Sequence, residues 1–133
     1  TDAQAEAHVT QSIQDQVVVM FALEWCEFCW AVRKLFARLG IPSRSVDLDA
    51  AAFHQQDMGT RVRAVLKALT GAPTIPQIWI GGTHIGGAMD LFDAFRSGQA
   101  QGLLAQAGIA CDSQADIDPY DFLPKWLHPR KAA

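Results

Sequence analysis

Hydrophobic positions divide the chain into short segments of alternating type. Residues 1–16 are polar and alanine-rich, with Ala7, Val9 and Ile13 spaced like one face of a short helix. Val17 to Phe21 is an uninterrupted, β-branched-rich apolar run, which predicts a strand buried on both faces. From Glu27 to Leu39 the apolar residues Phe28, Val32, Leu35, Phe36 and Leu39 recur at helical spacing, and Gly40 and Pro42 end that helix. Ser43 to Leu48 alternates polar and apolar residues as a second strand. A helix linking two strands in this way implies a parallel pair. Residues 59–70 predict a further helix with Val62, Val65, Leu66 and Leu69 inward, ended by Gly71. Gln77 to Ile80 and Thr83 to Ile85 flank Gly81-Gly82, the pattern of an antiparallel hairpin. Asp90 opens a helix with Leu91, Phe92 and Phe95 inward, and Gln99 to Ala107 reads as a last short helix. The order helix–strand–helix–strand–helix–strand–strand–helix describes an α/β fold: a four-stranded mixed sheet flanked by helices.

Composition narrows the class. A chain of 133 residues, 50% hydrophobic and 19% charged, can bury the core of one domain. Its net charge of −3 gives no electrostatic case for nucleic acid. No apolar run approaches the ~20 residues of a membrane helix, and three cysteines are too few for a secreted disulfide framework. A monomer in the cytoplasm, with neither membrane nor nucleic-acid partners, is expected. Three regions are delimited: a helical extension at 1–16, a domain at 17–109 and a tail at 110–133. After Cys111 the composition turns to Asp, Pro and aromatics, which predicts a tail outside the core. Tyr120, Phe122 and Trp126 could fold back or dock a partner. Trp30, Phe36, Phe92 and Phe95 read as core residues, and Cys111 as an inert thiol.

Cys26-Glu27-Phe28-Cys29 falls where the first strand gives way to a helix. Two intervening residues in a first helical turn bring both sulfurs within disulfide reach. A cysteine at a helix N-terminus faces unpaired backbone N–H groups and the positive end of the helix dipole, both of which favour thiolate. Cys26 is therefore the candidate nucleophile and Cys29 the candidate resolving thiol. Half of a zinc site and a pair of packed small hydrophobes are the alternatives. Tetrahedral zinc takes four ligands, and here the four histidines are scattered and no second cysteine pair exists. No metal site is expected, and redox chemistry is favoured.

Two loops extend the pattern. Thr74-Ile75-Pro76 enters a strand at an X-Pro bond, a candidate cis site. A cis bond there would leave the Ile75 backbone N–H and C=O facing the cysteines and able to pair with an extended peptide. The plainer reading is an ordinary strand-start proline. Gly86-Gly87-Ala88-Met89-Asp90 combines two glycines permitting close approach with a helix start, Asp90 being a candidate N-cap. Free N–H groups at that end would suit a carboxylate. Standing alone, the segment is a hairpin exit.

These pieces together resemble the glutaredoxin family, within the thioredoxin-like fold. The likeness covers about residues 9–109 and rests on Trp25-Cys26-Glu27-Phe28-Cys29, Thr74-Ile75-Pro76 and the run Gly81 to Leu91. It implies a glutathione-dependent thiol–disulfide oxidoreductase that reduces glutathione mixed disulfides and protein disulfides. Glutathione would be a co-substrate, with no tightly bound cofactor, and glutathionylated or disulfide-containing proteins would be the partners. Cys26 would carry the glutathionyl group. Ile75 would pair with the cysteinyl part, Met89 and Asp90 would hold the γ-glutamyl end, and Thr74, Pro76 and Gly87 would complete the glutathione site. Arg63 falls where the family often places a residue for the glycyl carboxylate.

Three residues depart from the family pattern. Leu23 stands where many members carry a lysine, and Glu24 and Glu27 add negative charge that opposes thiolate formation. Glu27 also replaces the usual proline between the cysteines. In the family that loss accompanies a glutathione-ligated [2Fe–2S] cluster shared by two subunits, which gives the alternative of an iron–sulfur carrier or sensor. The bulk and charge of Glu27 weigh against it. Trp25 is also found in thioredoxins, but glycine and proline between the cysteines are missing here.

Overall fold

The structure is a computed structural model that describes residues 2–111 and 117–124. Strands β1 (Val18–Ala22), β2 (Arg44–Asp47), β3 (Gln77–Ile80) and β4 (Thr83–Gly86) form one sheet in the order β2-β1-β3-β4. β1 runs parallel to β2 and antiparallel to β3, and β3 and β4 form the antiparallel hairpin. Helices α2 (Glu27–Leu39), α4 (Ala88–Ser97) and α5 (Gln99–Gln106) contribute to the core on one face. Helices α1 (Ala3–Asp15) and α3 (Met58–Thr70) contribute to the core on the other.

Side chains alternate along a strand, so β1 serves both cores. Val18, Met20 and Ala22 join the α2/α4/α5 side, while Val19 and Phe21 join the α1/α3 side. All five are buried, which is why β1 reads as a continuous apolar run. On the second side α3 approaches closely. A side chain at Gly59 would run into the Leu48 carbonyl oxygen, so this contact requires a residue without Cβ.

Several sequence expectations need correction. On α1, Ala5, Val9 and Ser12 are buried and Ala7 is exposed, so the buried stripe is offset from the apolar letters. On α3, Val62 and Leu66 are buried, but Leu69 is 61% exposed at the mouth of a groove between α1 and α3. Trp30 is 60% exposed rather than core, because it lies off the Val32–Leu35–Phe36 stripe. Its ring is covered instead by the Lys34 ammonium, 4.7 Å from the centroid. α4 begins at Ala88, two residues ahead of the expected start, with Gly87 as N-cap.

The tail is also partly core. A 3₁₀ turn at Pro119–Phe122 packs against α2 and α4. Tyr120 is fully buried there, edge-on to Phe92, with its hydroxyl donating to Asp93 at 2.7 Å. Phe122 packs against the same core; Trp126 lies outside the described residues.

Candidate functional site

β1 ends at Ala22, and α2 begins after a four-residue turn that ends on Cys26, its N-cap. A sulfur takes the place of the usual capping oxygen: Cys26 Sγ accepts the Cys29 backbone N–H at 3.3 Å. Cys26 is half-buried, and Cys29, one turn deeper, is fully buried. Burial pushes the Cys29 thiol up to about 12, and a hydrogen bond to Cys26 adds to the shift; a backbone hydrogen bond at Leu23 and, less, the Arg33 charge pull the other way. The two thiols thus have unequal roles available: one at the surface accepting hydrogen bonds, the other inside and protonated. Both are free.

Arg33 anchors the turn from below. Its Nη2 donates to the Leu23 carbonyl at 3.0 Å, to Ser45 Oγ at 3.1 Å and to Asp47 Oδ1 at 2.8 Å. The Glu24 N–H donates to Asp49 Oδ1 at 2.9 Å. Residues on and just after β2 therefore hold the loop that presents Cys26. Sequence reasoning missed this network, although an arginine inside the helical stripe and two aspartates ending a strand were its visible signs.

The Ile75–Pro76 bond is cis. Among the described residues neither the N–H nor the C=O of Ile75 makes a hydrogen bond. Thr74 is exposed, Ile75 half-buried and Pro76 buried. The Gly86–Gly87 loop lies against this segment: a Cβ on Gly87 would sit 3.7 Å from the Pro76 carbonyl oxygen. Gly86 is the glycine that the conformation demands, at φ +117 with the Asp90 carboxylate where a side chain would go. Gly87, at φ −88, is under no such constraint. Asp90 is not the N-cap but the third residue of α4, and its Oδ2 accepts the Gly87 N–H at 2.9 Å. Met89 is half-buried, and Cys26, Ile75 and Met89 all pack on the rim of the same core.

Arg63 stands apart from that rim. It is exposed on α3 and lines a cleft of about 370 Å³ with Leu23, Asp49, His54 and Asp57. Leu23 is the link, since it belongs to both this cleft and the Cys26 turn. Among the described residues Arg63 has no hydrogen-bond or ion-pair partner.

Comparison with known proteins decides the family. The glutaredoxin family model matches residues 18–85. Glutaredoxin-C6 of Oryza sativa subsp. japonica is 31% identical over 82% of this chain and 93% of its own length. The chain belongs to the glutaredoxin family. Monothiol glutaredoxin-S10 of the same rice is 33% identical over 78% of this chain, and this glutaredoxin spans only 61% of that relative's length. A crystal structure of a buckwheat glutaredoxin–glutathione complex superposes with a TM-score of 0.73 at 30% identity, covering 83% of this chain and 98% of that one. The shared fold is the thioredoxin-like arrangement expected from the order of elements, and the family is one of thiol oxidoreductases.

An iron–sulfur cluster is held by thiolates. This glutaredoxin offers one reachable cysteine sulfur at the site, Cys26, because Cys29 is buried. No group of three or more His, Cys, Asp or Glu suited to a metal ion lies among the described residues. A cluster on Cys26 would draw its other ligands from outside the chain.

Proposed function

We propose that this chain is a dithiol glutaredoxin, a glutathione-dependent thiol–disulfide oxidoreductase acting on glutathione mixed disulfides and protein disulfides. One observation carries the reading: Cys26 Sγ sits at the amino end of α2 and accepts the Cys29 N–H, while Cys29 waits buried and protonated one turn below. Cys26 thiolate attacks the glutathione sulfur of a mixed disulfide, and the protein thiolate leaves and takes up a proton. A second glutathione thiolate then attacks the glutathione sulfur on Cys26, which releases glutathione disulfide and regenerates Cys26. For a protein disulfide, Cys26 attacks one sulfur and the other leaves as thiolate; Cys29 then gives up its proton and attacks Cys26 Sγ, expelling the second protein thiolate, and two glutathiones reduce the resulting Cys26–Cys29 bond and leave as glutathione disulfide.

In this reading the Ile75 backbone pairs with the cysteinyl part of glutathione as a short added strand. Thr74, Pro76 and Gly87 form the walls of the groove. The first-turn amides of α4 take the γ-glutamyl carboxylate, Met89 packs against the chain, and Asp90 Oδ1 meets the α-amine. Arg63 takes the glycyl carboxylate across the Leu23 cleft. The buckwheat relative, solved with glutathione, supports glutathione as the ligand. The proposal extends to a monomer in the cytoplasm, where glutathione keeps free thiols reduced.

The test is a glutathione–disulfide exchange assay on two variants. Cys26→Ser abolishes turnover, whereas Cys29→Ser keeps deglutathionylation and loses dithiol reduction. Loss of both activities in Cys29→Ser with Cys26→Ser still active would reverse the roles. A cluster-bearing dimer with feeble reductase activity after anaerobic reconstitution with glutathione would favour the iron–sulfur carrier instead.

A further inference from the structure

Gln77 follows the cis proline and is only 1% exposed, yet its side chain is polar. A buried primary amide is costly unless its donors and acceptor are satisfied. Here they are. Nε2 donates to the Ala72 carbonyl at 3.0 Å and to the Thr74 carbonyl at 3.0 Å. Two carbonyls on one side fix the amide orientation, so Oε1 must face the other way, where His84 Nε2 lies 2.7 Å off. The imidazole therefore presents an N–H from Nε2 in either protonation state. His84 is itself held by Trp79, with ring centroids 4.6 Å apart.

The consequence lies one residue away. Thr74 immediately precedes Ile75, whose N–H and C=O have no partner among the described residues. Thr70 Oγ1 holds the start of the 72–75 segment, accepting the Ala72 N–H at 3.2 Å and donating to the Ala72 carbonyl at 3.4 Å, but among the described residues only Gln77 reaches Thr74, next to Ile75. We propose that Gln77, oriented by His84 from the neighbouring strand, is a positioning residue that presets the Ile75 edge for an incoming extended thiol peptide. The inference rests on the glutathione reading above and adds a residue pair to it. An edge fixed before binding spares the ligand the cost of ordering the loop, and the effect belongs in binding rather than in sulfur chemistry.

The full chain is tested with a small glutathione mixed disulfide as substrate. Steady-state constants are measured together with the rate at which iodoacetamide inactivates the reduced protein. Gln77→Leu keeps the size and leaves the Thr74 carbonyl unpaired, with the Ala72 carbonyl held only by Thr70 Oγ1 at 3.4 Å. We expect KM to rise about tenfold, the equivalent of roughly one lost hydrogen bond, with kcat and inactivation rate unchanged. His84→Phe keeps the stacking on Trp79 and loses the N–H, so KM rises several-fold, and His84→Gln, which restores a donor, returns it toward the wild-type value. The His84 pair decides the matter if Gln77→Leu fails to fold. Wild-type KM in the folded His84→Phe protein overturns the proposal, as does a fall in kcat and inactivation rate with KM unmoved. A wild-type chain that never saturates with the mixed disulfide would overturn the glutathione reading as well, a result distinct from equal KM values among active variants.

Discussion

Cys26 and Cys29 are one helical turn apart and differ in what surrounds them. The pair motif and its place before a helix were readable in the sequence. The depth of Cys29 was not, since it depends on α4 and the tail packing over α2. That burial has a measurable consequence. The folded thiol is raised from an ordinary value of 9.0 to about 12, so the folded state holds its proton where the unfolded chain releases it. The stabilisation is fully present below about pH 9 and is lost as pH rises toward 12. Reduced protein therefore loses stability on the alkaline side faster than Cys29→Ala does. Urea unfolding between pH 7 and 11 checks this, and parallel curves for the two proteins would contradict it. Gln77 shows the complementary limit of sequence reading. The sequence places Gln77 at the start of a strand, and only the hairpin and the loop before it reveal its three partners.

Elements were legible where one periodicity ruled them. β1, α2 and β3 match the apolar pattern, and the cis bond falls at the X-Pro step that the pattern singled out. The sequence pattern starts α4 two residues late because Asp90 reads as its cap. A carboxylate three places into a helix can reach back to the capping residue's N–H, so both positions use the same kind of residue. α1 was the faintest element, with few apolar letters. It is secured by contacts that its own sequence does not show: Asp2 caps its first turn and pairs with Arg61 of α3 at 2.7 Å. That pairing holds the Asp2 carboxyl at about 2, below its ordinary 3.8. Its stabilising effect is present above about pH 3.8 and is lost as pH falls toward 2. Amide exchange of α1 should accelerate in acid beyond that of β1, and Arg61→Met should remove the excess. Equal acceleration in both elements would count against this account.

For the molecule as a whole, a mixed sheet with helices on two sides was foreseeable from the order of elements. The participation of the tail in the core was not. Composition alone cannot tell an exposed aromatic run from one that folds back. Tyr120 decides for its segment, buried against Phe92 with Arg96 4.2 Å above its ring. Tyr120→Ala should cost about 3–5 kcal/mol, the range for emptying a buried aromatic site. Tyr120→Phe, which loses the bond to Asp93, should cost about 1 kcal/mol. Denaturant midpoints measure both, and an unchanged midpoint for Tyr120→Ala would place the segment outside the cooperative unit.

The account depends on Cys26 as the atom that accepts glutathione, and intact-mass analysis tests this directly. Cys29→Ser protein, incubated with glutathione disulfide and mapped by peptide, should carry one glutathionyl group on Cys26 that excess glutathione removes within the time of a turnover. An adduct confined to Cys111, or none on Cys26 at saturating glutathione disulfide, would contradict it.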